Sequence, residues 1–107
     1  MKRTLPGEIW RVDFGMAAKI RPALILSEYP KDDELALLVV VPHTTAVRGN
    51  RWELDVPKQF LKTPEVFHLQ QIRPVSLAHF ESRMGELMPE EFKRVREKLI
   101  RELNLRA

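Results

Sequence analysis

Three side chains that can hydrogen-bond follow the most apolar stretch of the chain. His43, Thr44 and Thr45 come after the run Leu35–Val41 and a proline, Pro42, which we expect to end the strand. Proline has no N–H to give to a strand ladder. A short apolar run of this kind is typical of a strand buried on both faces. Polar groups at the mouth of such a rigid strand are well placed to form a site.

Other groups that could carry chemistry are Arg21, near the start of a second strand, and Gln70, Gln71 and Arg73 on a later one. Together with the polar cluster at 43–45 they suit metal-free cleavage of RNA, in which a 2′-hydroxyl attacks its own phosphate. That reaction needs a proton acceptor, a proton donor for the leaving 5′-oxygen, and positive charge beside the phosphorane. A guanidinium supplies charge and a bidentate fork, and a threonine hydroxyl can donate to the same oxygens. A histidine can act as the base near neutral pH.

Each of these residues also has a structural interpretation, and the residues alone leave both open. An arginine beside a strand is more often exposed or ion-paired, and threonines after a proline usually cap a turn. A lone histidine at a strand end is usually structural. Because side chains alternate along a strand, Gln70 and Gln71 cannot both point into one groove. Trp10, Trp52 and Phe67 could stack on bases but more often belong to a core.

Length and composition exclude several classes of protein. The 107 residues predict one domain, and the lack of cysteine excludes disulfides and thiolate metal sites and favours a cytoplasmic protein. The three histidines have no metal-ligand spacing and no glycine-rich run could cradle a phosphate, so we expect no metal and no cofactor. No apolar run is long enough to cross a membrane. The net charge of +3 suits a nucleic-acid partner without requiring one.

Short strands and one helix must position these side chains. The alternation of Glu8–Phe14 predicts a first strand whose core face holds residues 8, 10, 12 and 14. Pro89 opens an amphipathic helix over about 89–104, with apolar residues every three or four positions. Five or six strands over residues 7–88 and then a helix favour a small barrel with the helix packed on it. The other strands are expected over Ile20–Ser27, Leu35–Val41, residues 51–56, Val66–Val75 and Arg83–Met88, with a helical turn over Ser76–Phe80.

Five segments in a fixed order carry a resemblance to a known family: GEIWRVDFG (7–15), RPALILS (21–27), VVVPHTT (39–45), QQIRPV (70–75) and GELMPEEF (85–92). Through them the chain resembles the MazF/PemK toxins of bacterial toxin–antitoxin pairs. The resemblance implies an α+β, mostly β, SH3-like barrel with a C-terminal helix, one domain over residues 1–107 that works as a homodimer. It also implies a metal-independent endoribonuclease that cuts single-stranded mRNA at short sequences and leaves 2′,3′-cyclic phosphate and 5′-hydroxyl ends. The implied partner is an antitoxin whose acidic, flexible tail occupies the RNA groove.

The resemblance also assigns roles to single residues. The family's catalytic arginine falls on Arg21, its catalytic threonine on Thr44 and its RNA-contacting glutamine on Gln71. Many members carry a glutamate in a longer loop between the first two strands. Here that loop is Gly15–Lys19 and has no carboxylate, so His43 is our candidate for the missing proton transfer. Further residues expected to contact RNA are Phe14, Lys19, Thr45, Arg48 and Arg73.

Two other functions are compatible with the same sequence. The barrel could be a toxin that binds a protein such as DNA gyrase, as CcdB-like relatives of the fold do, with affinity held in the C-terminal helix. It could also be an RNA- or antitoxin-binding module that has lost catalysis with its loop. The combination of RP with HTT favours the ribonuclease over the gyrase binder.

Overall fold

The computed structural model describes residues 3–15, 20–62 and 64–106. Within them the chain forms seven antiparallel strands, two short 3-10 turns and a C-terminal helix. The predicted mostly β fold with one helix is thereby confirmed. The strands are β1 (Glu8–Asp13), β2 (Ile20–Ile25), β3 (Leu37–Thr44), β4 (Glu53–Leu54), β5 (Val66–His68), β6 (Arg73–Ser76) and β7 (Phe80–Glu86), and the helix is α1 (Pro89–Glu102).

Five strands surround one apolar cluster. They pair in the order β6-β3-β2-β1-β7, and the 3-10 turn Leu77–His79 joins the two outer strands without a ladder between them in the described residues. Inside, Trp10 meets Phe80 edge to face with 6.3 Å between ring centroids. Every strand of the five contributes to this interior cluster, so it holds the barrel together. Its members are Trp10, Val12, Ala23, Ile25, Leu38, Val40, Val75 and Phe80.

The outer face of the same sheet packs against α1 and the β4–β5 pair. We expected only residues 8, 10, 12 and 14 of β1 to face a core, and this was wrong for Ile9, which is fully buried. The reason is that the sheet is covered on both faces where the helix lies over it. This helix-side cluster consists of Ile9, Leu24, Val41, Val56, Leu61, Phe67, Leu69, Leu87, Val95 and Leu99.

Strand β3 differs from the prediction at both ends. It begins at Leu37 rather than Leu35, and Leu35 is exposed. At its other end it runs through Pro42 to Thr44, so the proline does not stop it. On one side β6 pairs with residues 37–40 and β5 with residues 43–44. Pro42 lies in the gap between these two partners, where no ladder N–H is required.

The single strand predicted over Val66–Val75 is broken into β5, a 3-10 turn at Leu69–Gln71, and β6. The strand predicted over 51–56 is reduced to β4, and the strand expected at Arg83–Met88 begins earlier, at Phe80. The helical turn expected within Ser76–Phe80 is present. Both glutamines of the 3-10 turn are therefore off the strands and exposed.

Helix α1 begins as predicted, at Pro89. The Met88 side chain is a poor N-cap, but the Glu91 carboxylate accepts the Met88 backbone N–H at 2.8 Å. Glu91 also pairs with Lys58 at 2.6 Å, so the helix start is tied to the connector 57–62. Among the described residues, none of the helical segments combines the length and apolarity that membrane crossing requires.

Candidate functional site

Arg21 and Thr44 lie at neighbouring ends of two paired strands. The ladder between β2 and β3 stops at the Ala23–Pro42 pair, and Arg21 and Thr44 each lie two residues beyond it. Arg21 is half-buried, and Thr44 is 5% exposed. The Thr44 hydroxyl oxygen accepts the Ala46 backbone N–H at 3.2 Å, which fixes its rotamer and leaves its own proton free to donate.

A cavity of about 320 Å³ opens beside these strand ends on the outer face of the barrel. It contains Arg21 and Thr45, two of the residues that the sequence predicts for the site. Extending the β3–β5 register by one residue, from the Thr44–Val66 pair, places Thr45 opposite Glu65, which also lines the cavity. Its complete lining is Arg11, Ile20, Arg21, Pro22, Thr45, Phe60, Lys62, Glu65 and Met84.

Positive charge dominates the cavity. Three cations, Arg11, Arg21 and Lys62, face one carboxylate, that of Glu65. Arg11 lies 3.7 Å from the exposed carboxylate of Glu81. Among the described residues no carboxylate lies within 4 Å of Arg21 or Lys62, so both cations are available to an anionic ligand. A phosphate is the ligand that guanidinium and ammonium groups in such a setting suit.

An apolar wall completes the cavity, and its position depends on a glycine. Phe60 lies so close to Gly85 of β7 that a Cβ atom built there would be 2.6 Å from the ring Cζ. No residue larger than glycine fits at 85 unless the ring moves. Phe60, Met84, Ile20 and Pro22 together present this wall to the ligand space.

His43 is brought close to the site but not into the cavity. It is 1% exposed and packs edge-on against Phe67, with 4.8 Å between ring centroids. Its Nδ1 has no hydrogen-bond partner and lies 3.7 Å from Glu65 Oε1. Burial lowers the pKa of His43 from its ordinary value of 6.5, against the opposing charges of Glu65 and Asp55. The imidazole is therefore neutral near pH 7 and is shielded from a large ligand.

The remaining predicted residues are spread around the strand ends. The Arg73 guanidinium lies 4.7 Å above the Phe14 ring, so these two residues form a cation–π pair at one mouth of the barrel. Gln71 is exposed on the 3-10 turn, and Arg48 lies in an exposed loop whose backbone N–H groups bind Glu53. Lys19 lies outside the described residues.

Sequence reasoning missed several residues of the cavity. Arg11 is outside the face of β1 that the sequence predicts to be buried, and it is exposed, but nothing in the sequence linked it to Arg21. Lys62 and Glu65 lie between β4 and β5 in the chain, and no local signal places them at the cavity. The alternation of β1 and β2 could have found Arg11, because it pairs directly with Pro22 beside Arg21. Among the described residues no group of three or more potential ligands could hold a metal ion.

Several solved structures are similar to this fold. A MazF structure from Deinococcus radiodurans has a TM-score of 0.79 at 21% identity, covering 97% of this chain and 99% of that one. Mycobacterium tuberculosis toxin MazF-mt6 has a TM-score of 0.76 at 24% identity, covering 94% and 99%. A mycobacterial endoribonuclease in complex with its cognate antitoxin has a TM-score of 0.76 at 23% identity, covering 97% and 98%. These similarities show that the fold is shared.

Sequence comparison gives the family itself. No match among the curated proteins reaches significance. The family model described as PemK-like, MazF-like toxin of type II toxin–antitoxin system matches residues 5–103, nearly the whole chain. The chain therefore belongs to the family of PemK-like, MazF-like toxins of type II toxin–antitoxin systems.

Proposed function

We propose that this toxin is a metal-independent endoribonuclease that cleaves single-stranded mRNA. The observation that carries the proposal is the position of Arg21. It lies two residues beyond the last pair of the β2–β3 ladder, as Thr44 does on β3, and it lines a cavity in which cations outnumber carboxylates three to one. Such a site suits a phosphodiester whose charge increases during the reaction.

In the proposed reaction the ribose 2′-oxygen attacks the adjacent phosphorus, and the bond to the 5′-oxygen breaks. The 2′-hydroxyl gives up one proton and the leaving 5′-oxygen gains one, so the products are a 2′,3′-cyclic phosphate and a 5′-hydroxyl. The Arg21 fork stabilises the charge on the equatorial oxygens of the phosphorane. The Thr44 hydroxyl, oriented by Ala46, donates to the same phosphate.

Other predicted residues hold the RNA strand in this proposal. The Phe14 ring and the Arg73 guanidinium, already stacked on each other, offer a surface for a base and a charge for a phosphate. Thr45 lines the cavity beside Arg21, and Gln71 and Arg48 are exposed near the strand ends. Lys19 is proposed to contact phosphate from the loop after β1.

We retain His43 as a candidate for proton transfer. Its ring is 1% exposed, and its Nδ1 lies 3.7 Å from Oε1 of Glu65, which lines the cavity. A neutral imidazole can take up a proton, whereas Arg21, with a pKa above about 12, is a poor base.

We also propose that the toxin acts in the cytoplasm as a homodimer and is neutralised by an antitoxin with an acidic segment. One structure of similar fold is an endoribonuclease bound to its cognate antitoxin, which supports this partner. The positive charge of the cavity is the feature on this chain that an acidic tail would meet. Carboxylates in the groove would take the place of RNA phosphates.

The experiment is incubation of a long single-stranded RNA with the purified protein in EDTA. We expect discrete fragments with 5′-hydroxyl ends from the wild type. Arg21→Ala should cleave on the order of 10²–10³-fold more slowly, because it removes one charge-stabilising donor. Arg94→Ala, an exposed helix arginine, is the matched control and should cleave like the wild type.

Intact RNA in every lane would overturn the proposal. Binding of that RNA with a strong salt dependence would then indicate a non-catalytic RNA-binding module. Equal cleavage by wild type and Arg21→Ala would reject the site while keeping the activity.

A further inference from the structure

The cavity beside Arg21 has two chemically different sides. Ile20, Pro22, Phe60 and Met84 are apolar, whereas the other side carries three cations, the Thr45 hydroxyl and the Glu65 carboxylate. Its volume of about 320 Å³ is at the small end of ligand pockets, which run from about 300 to 1,000 Å³. A flat ring with polar edges can pack on the apolar side, while its edges and a neighbouring phosphate meet the charged side. An inorganic anion or a peptide matches these two sides less well.

We propose that this cavity is a subsite for one unpaired nucleobase of the RNA and that Glu65 makes it selective for guanine. The inference rests on the proposed function, because it places the base next to the phosphate held by Arg21. It adds a specificity-determining residue that the sequence did not indicate.

The hydrogen-bond pattern of the bases decides in favour of guanine. An ionised carboxylate only accepts hydrogen bonds, and it can accept two in parallel. Guanine is the RNA base whose Watson–Crick edge offers two adjacent donors, N1–H and the N2 amino group. Adenine and cytosine offer one amino group beside an acceptor nitrogen, and uracil offers one N–H between two carbonyl oxygens. The guanine O6 and N7 acceptors also suit the neighbouring arginines.

The Glu65 carboxylate is largely buried, and no arginine of the described residues lies within 4 Å of it. Its side chain is 13% exposed, and the ionisable group of the described residues that lies within 4 Å of it is the His43 imidazole. Since burial lowers the pKa of that histidine, the imidazole is neutral near pH 7 and leaves the carboxylate oxygens free to accept from a ligand. A partly buried carboxylate with unused acceptors discriminates strongly, because a base without matching donors leaves those acceptors unpaired.

The apolar wall is fixed by its packing contacts. The Phe60 ring lies directly on the Gly85 backbone, and the connector that carries it is tied to helix α1 by the Lys58–Glu91 ion pair. A ring that already packs against the Gly85 backbone is a good surface for stacking, since little side-chain freedom is lost when a base binds. Stacking alone accepts every base, so the selectivity comes from Glu65.

The test uses oligonucleotides that cannot be cleaved. Short single strands of uridine with one central G, A, C or U, and with every 2′-hydroxyl replaced by hydrogen, lack the attacking oxygen. Fluorescence anisotropy gives their Kd values for wild type, Glu65→Gln and the exposed helix control Glu97→Gln. We expect the G strand to bind the wild type about tenfold or more tightly than the others, and this preference to fall to about threefold or less in Glu65→Gln. Glu97→Gln should keep it.

Three results would overturn the inference: no base preference in the wild type, the same preference in Glu65→Gln, or an equal loss of affinity for all four strands. A loss of RNA cleavage in Glu65→Gln that is the same at every sequence would also overturn it, because that result assigns Glu65 to the chemistry. Failure of the proposed function is separate, since it appears as absent cleavage of ordinary RNA and leaves the binding preference measurable.

Discussion

The interior cluster and the cavity share strands β1, β2 and β7, and they differ in almost every property. The interior cluster is wholly apolar, and its members are at most 7% exposed. The cavity lies on the outer face, where β2 extends beyond its pairing with β3, and it combines four charged side chains with an apolar wall. One region stabilises the barrel, and the other gathers charged side chains around an open cavity.

This difference shows how a small barrel separates stability from function. Alternation along a strand sends neighbouring residues to opposite faces, so Val12 enters the interior while Arg11 reaches the cavity. Substitutions on one face can therefore leave the other intact. The predictions below test that independence.

The largest effect is expected inside the barrel. Leu38→Ala removes a fully buried side chain from the interior cluster and should lower the free energy of unfolding by about 2–5 kcal/mol. Urea denaturation measures this change, and Leu35→Ala, at an exposed position, is the control. Cleavage per folded molecule should not change. A proportional loss of specific activity would show that the two regions are coupled.

Gly85→Ala should disturb the cavity through its wall. The new methyl group overlaps the Phe60 ring, and because the ring can shift, we expect a loss of about 1 kcal/mol in unfolding free energy. Guanine preference should weaken as the platform moves. The double variant Gly85→Ala/Phe60→Leu is the control and should recover most of the stability. If Gly85→Ala keeps the full guanine preference, the apolar wall does not contribute to base recognition.

The smallest effect is a dependence of stability on pH. His43 has a lowered pKa in the folded state, so the unfolded state binds more protons between that pKa and 6.5. The free energy of unfolding should therefore decrease as pH falls through 6.5. In His43→Asn this slope should disappear, whereas the exposed control His79→Asn should keep it.

Urea titrations at pH 7.5, 6.5 and 5.5 measure the slope. Glu8, Glu53 and Glu91 also have lowered pKa values, but they begin from 4.5, so their stabilisation is lost at lower pH. If His43→Asn and His79→Asn show the same dependence of unfolding free energy on pH, the assignment of this dependence to His43 is wrong. The cleavage rate of His43→Asn across this range also tests proton transfer.

Local sequence pattern predicted the strands and the helix well, because alternation and helical periodicity depend on the faces that are buried. Local pattern failed to predict the bounds and breaks of strands where contacts between distant segments determine them. Pro42 is tolerated because of a gap between two partner strands, and the break at Leu69–Gln71 depends on how the chain crosses from β5 to β6. Family resemblance indicated Arg21 and Thr44. Glu65 could not be found, because its position at the cavity depends on the pairing of β5 with β3, which the sequence does not predict.

Pro42 has a further consequence for how reliably the strands align. A slip of β5 or β6 along β3 onto position 42 would place a ladder carbonyl opposite a residue without an N–H. A shift by one residue would also move every side chain of the slipped strand to the opposite face of the sheet. The proline therefore disfavours slipped registers of β5 and β6 along β3. It thereby favours the register in which Arg73 lies opposite Val40 and the one whose extension places Glu65 opposite Thr45.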